Sequence, residues 1–92
     1  MSTKAIQEQF NIYIDLLDKI HTLGHEIDAS INESEIKDME ERRMQYKIRM
    51  KMIRKNLIQM VGNEEKFPVY NELAAQNTLL SVQDGELLYE QS

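Results

Sequence analysis

The sequence predicts a mainly α, homo-oligomeric protein. An antiparallel helical hairpin spans residues 3–62, and residues 66–92 add a short third helix and a C-terminal stretch, all in one domain, 1–92. Three observations predict this. Apolar side chains recur from Ile6 to Ile31 at alternating spacings of 4 and 3, the period of a helix facing a partner helix. A second series at the same spacing runs from Ile36 to Met60. Between them, Ser30–Ser34 holds the turn and capping residues that end one helix and start the next.

The first helix carries Ile6, Phe10, Tyr13, Leu17, Ile20, Gly24, Ile27 and Ile31 on its seam, with Ser2 or Thr3 as the candidate cap. Ile12, Leu16 and Leu23 widen the seam into a broad face. Gly24 on that seam has two readings: a site of close approach by another backbone or a ligand, or a helix end. Asn32 and Glu35 have the spacing of a capping box, and Glu33, Glu35 and Asp38 suit the positive end of a helix dipole. The second seam reads Ile36, Met39, Arg43, Tyr46, Met50, Ile53, Leu57 and Met60, and Gly62 followed by Asn63 stops it. Pro68 suits the first turn of a third helix reaching about Asn77. Asp84-Gly85, between Leu79–Val82 and Leu87–Tyr89, marks a small β-hairpin, with a frayed helical tail as the alternative.

Two seams on a chain of 92 residues exceed what one thin core can bury, which predicts a closed symmetric oligomer larger than a dimer. The hydrophobic share of 41% and charged share of 29% are those of a soluble, ordered protein. With no Cys, disulfides, thiolate catalysis and Cys-based zinc sites are all excluded. No apolar run approaches the ~20 residues of a membrane span, and no signal peptide is recognisable, so a cytoplasmic location without membrane contact is expected.

The net charge of −5 is strongly segregated. Residues 1–41 carry three Lys against ten acids, residues 42–62 seven basic residues and no acid, and residues 63–92 one Lys against six acids. Such blocks are expected to face one another, within or between subunits. Arg42, Lys47, Arg49, Lys51 and Arg54 encircle their helix rather than striping it, and the pI is about 5.0, so duplex nucleic acid is not the expected partner. Arg43 and Tyr46 lie on the seam itself; Arg43 there needs an anion, most simply an acid of helix one or of another subunit. His21 and His25 are four apart and share a helix side, but a catalytic zinc takes a third protein ligand; exposed histidines are the expectation, and no metal or cofactor. No catalytic triad order or phosphate-binding glycine loop is present, so an enzyme is not expected.

The segment LLDKIHTLGHEIDASI, residues 16–31, resembles the first helix of the phage anti-CBASS sponge proteins, in which Leu16, Leu17, Ile20, Leu23, Gly24, Ile27 and Ile31 fit the apolar-glycine pattern. Arg42/Arg43 and Ile58–Val61 resemble that family's second helix more loosely. The resemblance implies a homo-hexamer of helical hairpins that sequesters cyclic di- or trinucleotides in the host cytoplasm without cleaving them. It implies that an aromatic, here Phe10 or Tyr13, stacks on a base. Phosphate would be met by Lys19, by His21 where the family has lysine, or by an arginine such as Arg43, with Gly24 admitting the ligand and Tyr46 beside it. The rival expectation is a helical-hairpin adaptor that binds another protein and no small molecule.

Overall fold

The computed structural model describes residues 3–62 and 66–91. Helix α1 spans Thr3–Ala29 and helix α2 spans Glu33–Val61, and they form the expected antiparallel hairpin. Three strands follow, β1 (Phe67–Asn71), β2 (Gln76–Gln83) and β3 (Glu86–Gln91), in one antiparallel sheet of order β1-β2-β3. The molecule measures 47 × 24 × 22 Å, so its long dimension is set by helices of roughly 40–44 Å at 1.5 Å per residue. Among the described residues, no helix is long and apolar enough to cross a membrane.

The local chemistry explains the hairpin turn. Asn32 has an extended backbone and its side-chain oxygen accepts from the amides of Ser34 (3.0 Å) and Glu35 (3.2 Å), which otherwise have no helical partner. Only half of the expected capping box forms, because the Asn32 amide donates to Ser30 Oγ (3.4 Å) instead of to Glu35. Gly62 closes α2 at φ 78°, with its amide on Ile58 O. Ser2 and Asn63, both expected at helix ends, lie outside the described residues. Helix α1 runs through Gly24 without a break, which removes the helix-end reading of that residue.

The third helix expected over residues 68–77 does not form; those residues are β1, a turn and the start of β2. Pro68 is tolerated because β1 is an edge strand. Tyr70 turns its amide and carbonyl away from β2, and Pro68, two residues earlier, points its missing N–H the same way, so no ladder bond is lost. Val69 and Tyr70 prefer a pleated surface, and the alternation Phe67 and Val69 inward, Pro68 and Tyr70 outward, is a strand period. The β-hairpin expectation holds: Gln83 pairs with Glu86 around Asp84 (φ 54°) and Gly85 (φ 77°), the paired positive angles of a type I′ turn.

The core sits at one end, where the start of α1, the end of α2 and one face of the sheet meet. Ile6, Phe10, Leu57 and Leu80 are completely buried there, among Tyr13, Ile14, Val61, Val69 and Val82. Towards the turn the seams only half-cover each other: Leu17, Ile20, Gly24 and Ile27 face a similarly half-buried Ile36, Met39, Arg43 and Tyr46. Ile31, expected on the seam, lies in the turn and is 98% exposed.

One side chain fastens the sheet to the hairpin. Gln7 accepts from the Tyr70 amide through Oε1 (2.8 Å) and donates to the Tyr70 carbonyl through Nε2 (2.9 Å). Its amide thereby stands in for a neighbouring strand along the free edge of β1, and Asn11 Oδ1 orients it at 2.7 Å. Each such bond contributes about 0.5–1.5 kcal/mol. Gln7→Ala should therefore lower the unfolding free energy by about 1–2 kcal/mol in urea titration, and Gln7→Glu, which keeps only the acceptor, by roughly half of that.

Candidate functional site

Midway along the hairpin, on one side of the contact between helices, α1 and α2 leave a shallow groove of about 320 Å³. Lys19, Thr22, Leu23 and Glu26 of α1 line it, opposite Arg42 and Tyr46 of α2, with Asp18 at its edge. Lys19 Nζ lies 5.7 Å from the centre of the Tyr46 ring and 3.0 Å from Asp15 Oδ2. One turn further on, Arg43 Nη1 comes within 3.7 Å of where a Gly24 side chain would begin. Of the seven residues singled out from the sequence, Lys19 and Tyr46 line this groove together with Arg42, while Gly24 and Arg43 meet each other outside its lining.

The other three lie elsewhere. Phe10 is completely buried in the core, edge-on to Tyr89 with ring centres 6.5 Å apart, and has no exposed face to offer a base. Tyr13 is 7% exposed, and it lies eleven positions from Gly24, roughly 16 Å along the helix. Burial, with a smaller contribution from the neighbouring Tyr89, raises the Tyr13 phenol above its ordinary range, partly offset by the Arg54 guanidinium. His21 lines a second, largely apolar groove of about 460 Å³ between α1 and the sheet, with Ile14, Leu17, Leu73 and Tyr89. Its Nε2 is 3.0 Å from His25 Nε2, a hydrogen bond between two exposed imidazoles. Among the described residues, no group of three or more His, Asp or Glu side chains could hold a metal ion.

Of the two partners expected for Arg43, an acid of helix one does not pair with it. Among the described residues, no carboxylate lies within ion-pair distance of Arg43 or of any other basic residue of 42–55. The ion pairs found are Lys19–Asp15 and Lys66–Glu90, both exposed. The groove therefore offers a half-buried aromatic ring beside an ammonium, with the exposed Arg42 guanidinium on the same lining, and the half-buried Arg43 guanidinium lies outside that lining. An anion entering it must draw Lys19 from Asp15, and an exposed pair of that kind holds only about 0.2–1 kcal/mol. Another hollow, of about 730 Å³ and lined by Lys37, Glu41, Met44 and their neighbours, is the flank of α2 alone and encloses nothing.

Sequence reasoning missed Arg42 as a groove residue and Tyr89 as the neighbour of both Phe10 and Tyr13. Arg42 follows from counting outward from the turn along antiparallel helices, which sets it across from Lys19 and Glu26. Tyr89 had no local signal, since its place depends on the sheet folding onto α1.

Two expectations follow. The contact at Gly24 is ordinary van der Waals distance and its backbone is helical. Gly24→Ala should therefore stabilise the chain by about 0.5–1 kcal/mol through helix propensity, read as a raised urea midpoint. For Tyr13, a raised phenol pKa means that the folded chain holds the proton more tightly than the unfolded chain. That contribution is intact at neutral pH and is lost as pH climbs through about 10 and beyond. Tyr13→Phe should flatten the alkaline fall in stability between pH 9 and 11, a range set by the ordinary phenol value near 10. No protein-family model, curated protein or solved structure matches the chain.

Proposed function

We propose that the protein binds cyclic di- or trinucleotides and sequesters them without cleaving them, countering bacterial anti-phage signalling from within the host cytoplasm, as a homo-oligomer. The observation that carries this reading is the convergence of Lys19, Arg42 and Tyr46 in one groove, with Arg43 beside Gly24. A nucleotide presents a flat base and an anionic phosphate a few ångströms apart, and an aromatic ring flanked by cations matches both. Stacking of a base on the ring contributes about 1–3 kcal/mol, and a charged hydrogen bond to phosphate about 1.5–3 kcal/mol.

Titration calorimetry with cyclic di- and trinucleotides tests it. The unmodified protein should bind at least one of them, with unchanged ligand recovered afterwards. Lys19→Glu and Tyr46→Leu should each weaken that binding by roughly ten- to a hundred-fold. Binding that neither substitution weakens would place the site elsewhere, and absence of binding would remove the reading.

A second reading, a helical-hairpin adaptor for another protein, is favoured by the other groove. Ile14, Leu17, Leu73 and Tyr89 make an apolar hollow of about 460 Å³, with Leu73 58% and Tyr89 50% exposed. It suits the apolar side chain of a partner peptide better than a phosphate.

A further inference from the structure

His21 and His25 take no part in the groove that Lys19 and Tyr46 line. They stand one turn apart on α1, both exposed, with Nε2 atoms 3.0 Å apart and rings at 89° to each other. The helix fixes that approach, since residues four apart project from the same side with Cβ atoms about 5–6 Å apart. Asp18 lies three residues before the pair and Asp28 three after it. At about 100° per residue these four share a sector of roughly 80°, and the two lysines of α1, Lys4 and Lys19, fall outside it.

We propose that the two imidazoles chelate a late first-row divalent metal ion, Ni2+ or Cu2+, through their Nε2 atoms. For the bond of about 2.0–2.1 Å that imidazole makes to such an ion, two nitrogens 3.0 Å apart subtend roughly 90–100° at the metal. That is the angle between neighbouring positions of an octahedral or square-planar shell, which suits Ni2+ and Cu2+ better than tetrahedral zinc. Magnesium and calcium take oxygen ligands and are not expected to compete. A hydrogen bond between two Nε2 atoms uses the lone pair of only one of them. Binding an ion uses both: the proton on the donor ring passes through solvent to its own Nδ1, and both rings stay neutral. Because the rings are exposed, they turn their bare nitrogens to the metal without disturbing the core.

Among the described residues no third His, Asp or Glu joins the pair, so the rest of the ion's shell is left to water. The site is therefore exchangeable, unlike the closed cage of a structural metal or the three-ligand centre of a catalytic zinc. The expectation of no metal rested on that missing third ligand, which a two-point chelate does not require. Asp18 and Asp28 act at longer range, setting negative charge on either side of a dication. A bound ion ties two consecutive turns of α1 together and places positive charge at the rim of the apolar groove that His21 lines. The site does not depend on nucleotide binding, and its test contains no nucleotide.

Titration calorimetry of NiCl2 into the full chain, stripped with EDTA and carrying no affinity tag, tests it. The unmodified protein should take up one Ni2+ per chain, and excess MgCl2 should not displace it. His21→Asn and His25→Asn should each weaken binding by at least about ten-fold, because one imidazole holds an exposed ion far more loosely than two. A third variant, His25→Asn with Ala29→His, keeps two histidines but sets them roughly 12 Å apart along the helix. It should bind no better than the single changes, and circular dichroism confirms that every variant keeps its helices. With CuCl2, electron paramagnetic resonance should show two equatorial nitrogens in the unmodified protein and one in either single variant. Absence of Ni2+ uptake at millimolar concentration would overturn the chelate. So would binding that neither single change weakens, or equal binding by the displaced pair, each of which leaves an adventitious ion only.

Discussion

Everything in this fold depends on four side chains that meet at one end of the hairpin. Ile6 and Phe10 come from α1, Leu57 from α2 and Leu80 from the central strand, and none has any exposed surface. Burying each stabilises the fold by about 1.5–3 kcal/mol, which neither module can obtain alone. A three-stranded sheet with one apolar face is marginal in water without something to pack on. The hairpin is more open along its distal half, and the completely buried side chains among the described residues lie where the sheet closes over it. Hydrogen bonding reinforces that joint from the side, through the Gln7 amide on Tyr70.

The distal half of the hairpin is built differently. Its seam positions are half-buried, its seam contains a glycine and an arginine, and among the described residues the cations of α2 have no acid of their own. Packing is therefore uneven along the long axis: the sheet end holds the chain together, and the half-buried Arg43 and Tyr46 lie in the distal half. Polar or charged substitutions have room at the turn end, whereas at the sheet end they would break the one sealed core.

Much of this was legible in the sequence, because helical periodicity, an asparagine cap and a terminal glycine are local signals. The hairpin, its turn at Ser30–Ser34, the stop at Gly62 and the type I′ turn at Asp84-Gly85 all follow from neighbours in the chain. Residues 68–77 were misread because Pro68 is compatible with both a helix start and an edge strand. The choice between them is made by β2 and Gln7, neither of them local. The candidate groove was half legible for the same reason. Gly24, Arg43 and Tyr46 could be placed from the seams and Lys19 from the family resemblance, while the burial of Phe10 and Tyr13 depends on a sheet that covers them from 60 or so residues away.

That separation in sequence shapes how the chain is made. The apolar face around Phe10 and Leu57 exists as soon as α1 and α2 have paired, but Leu80 and Val82 lie some twenty residues beyond the end of α2. Gln7 meets its partner sooner after the hairpin is complete, on a strand 63 positions further on. At about 5–20 residues per second, synthesis leaves a finished hairpin uncovered for roughly 1–5 s, whereas helices form in about a microsecond. A nascent chain therefore passes through a stage in which its stickiest surface is assembled and bare, and whatever shields it then, ribosome or chaperone, acts before the native sheet can.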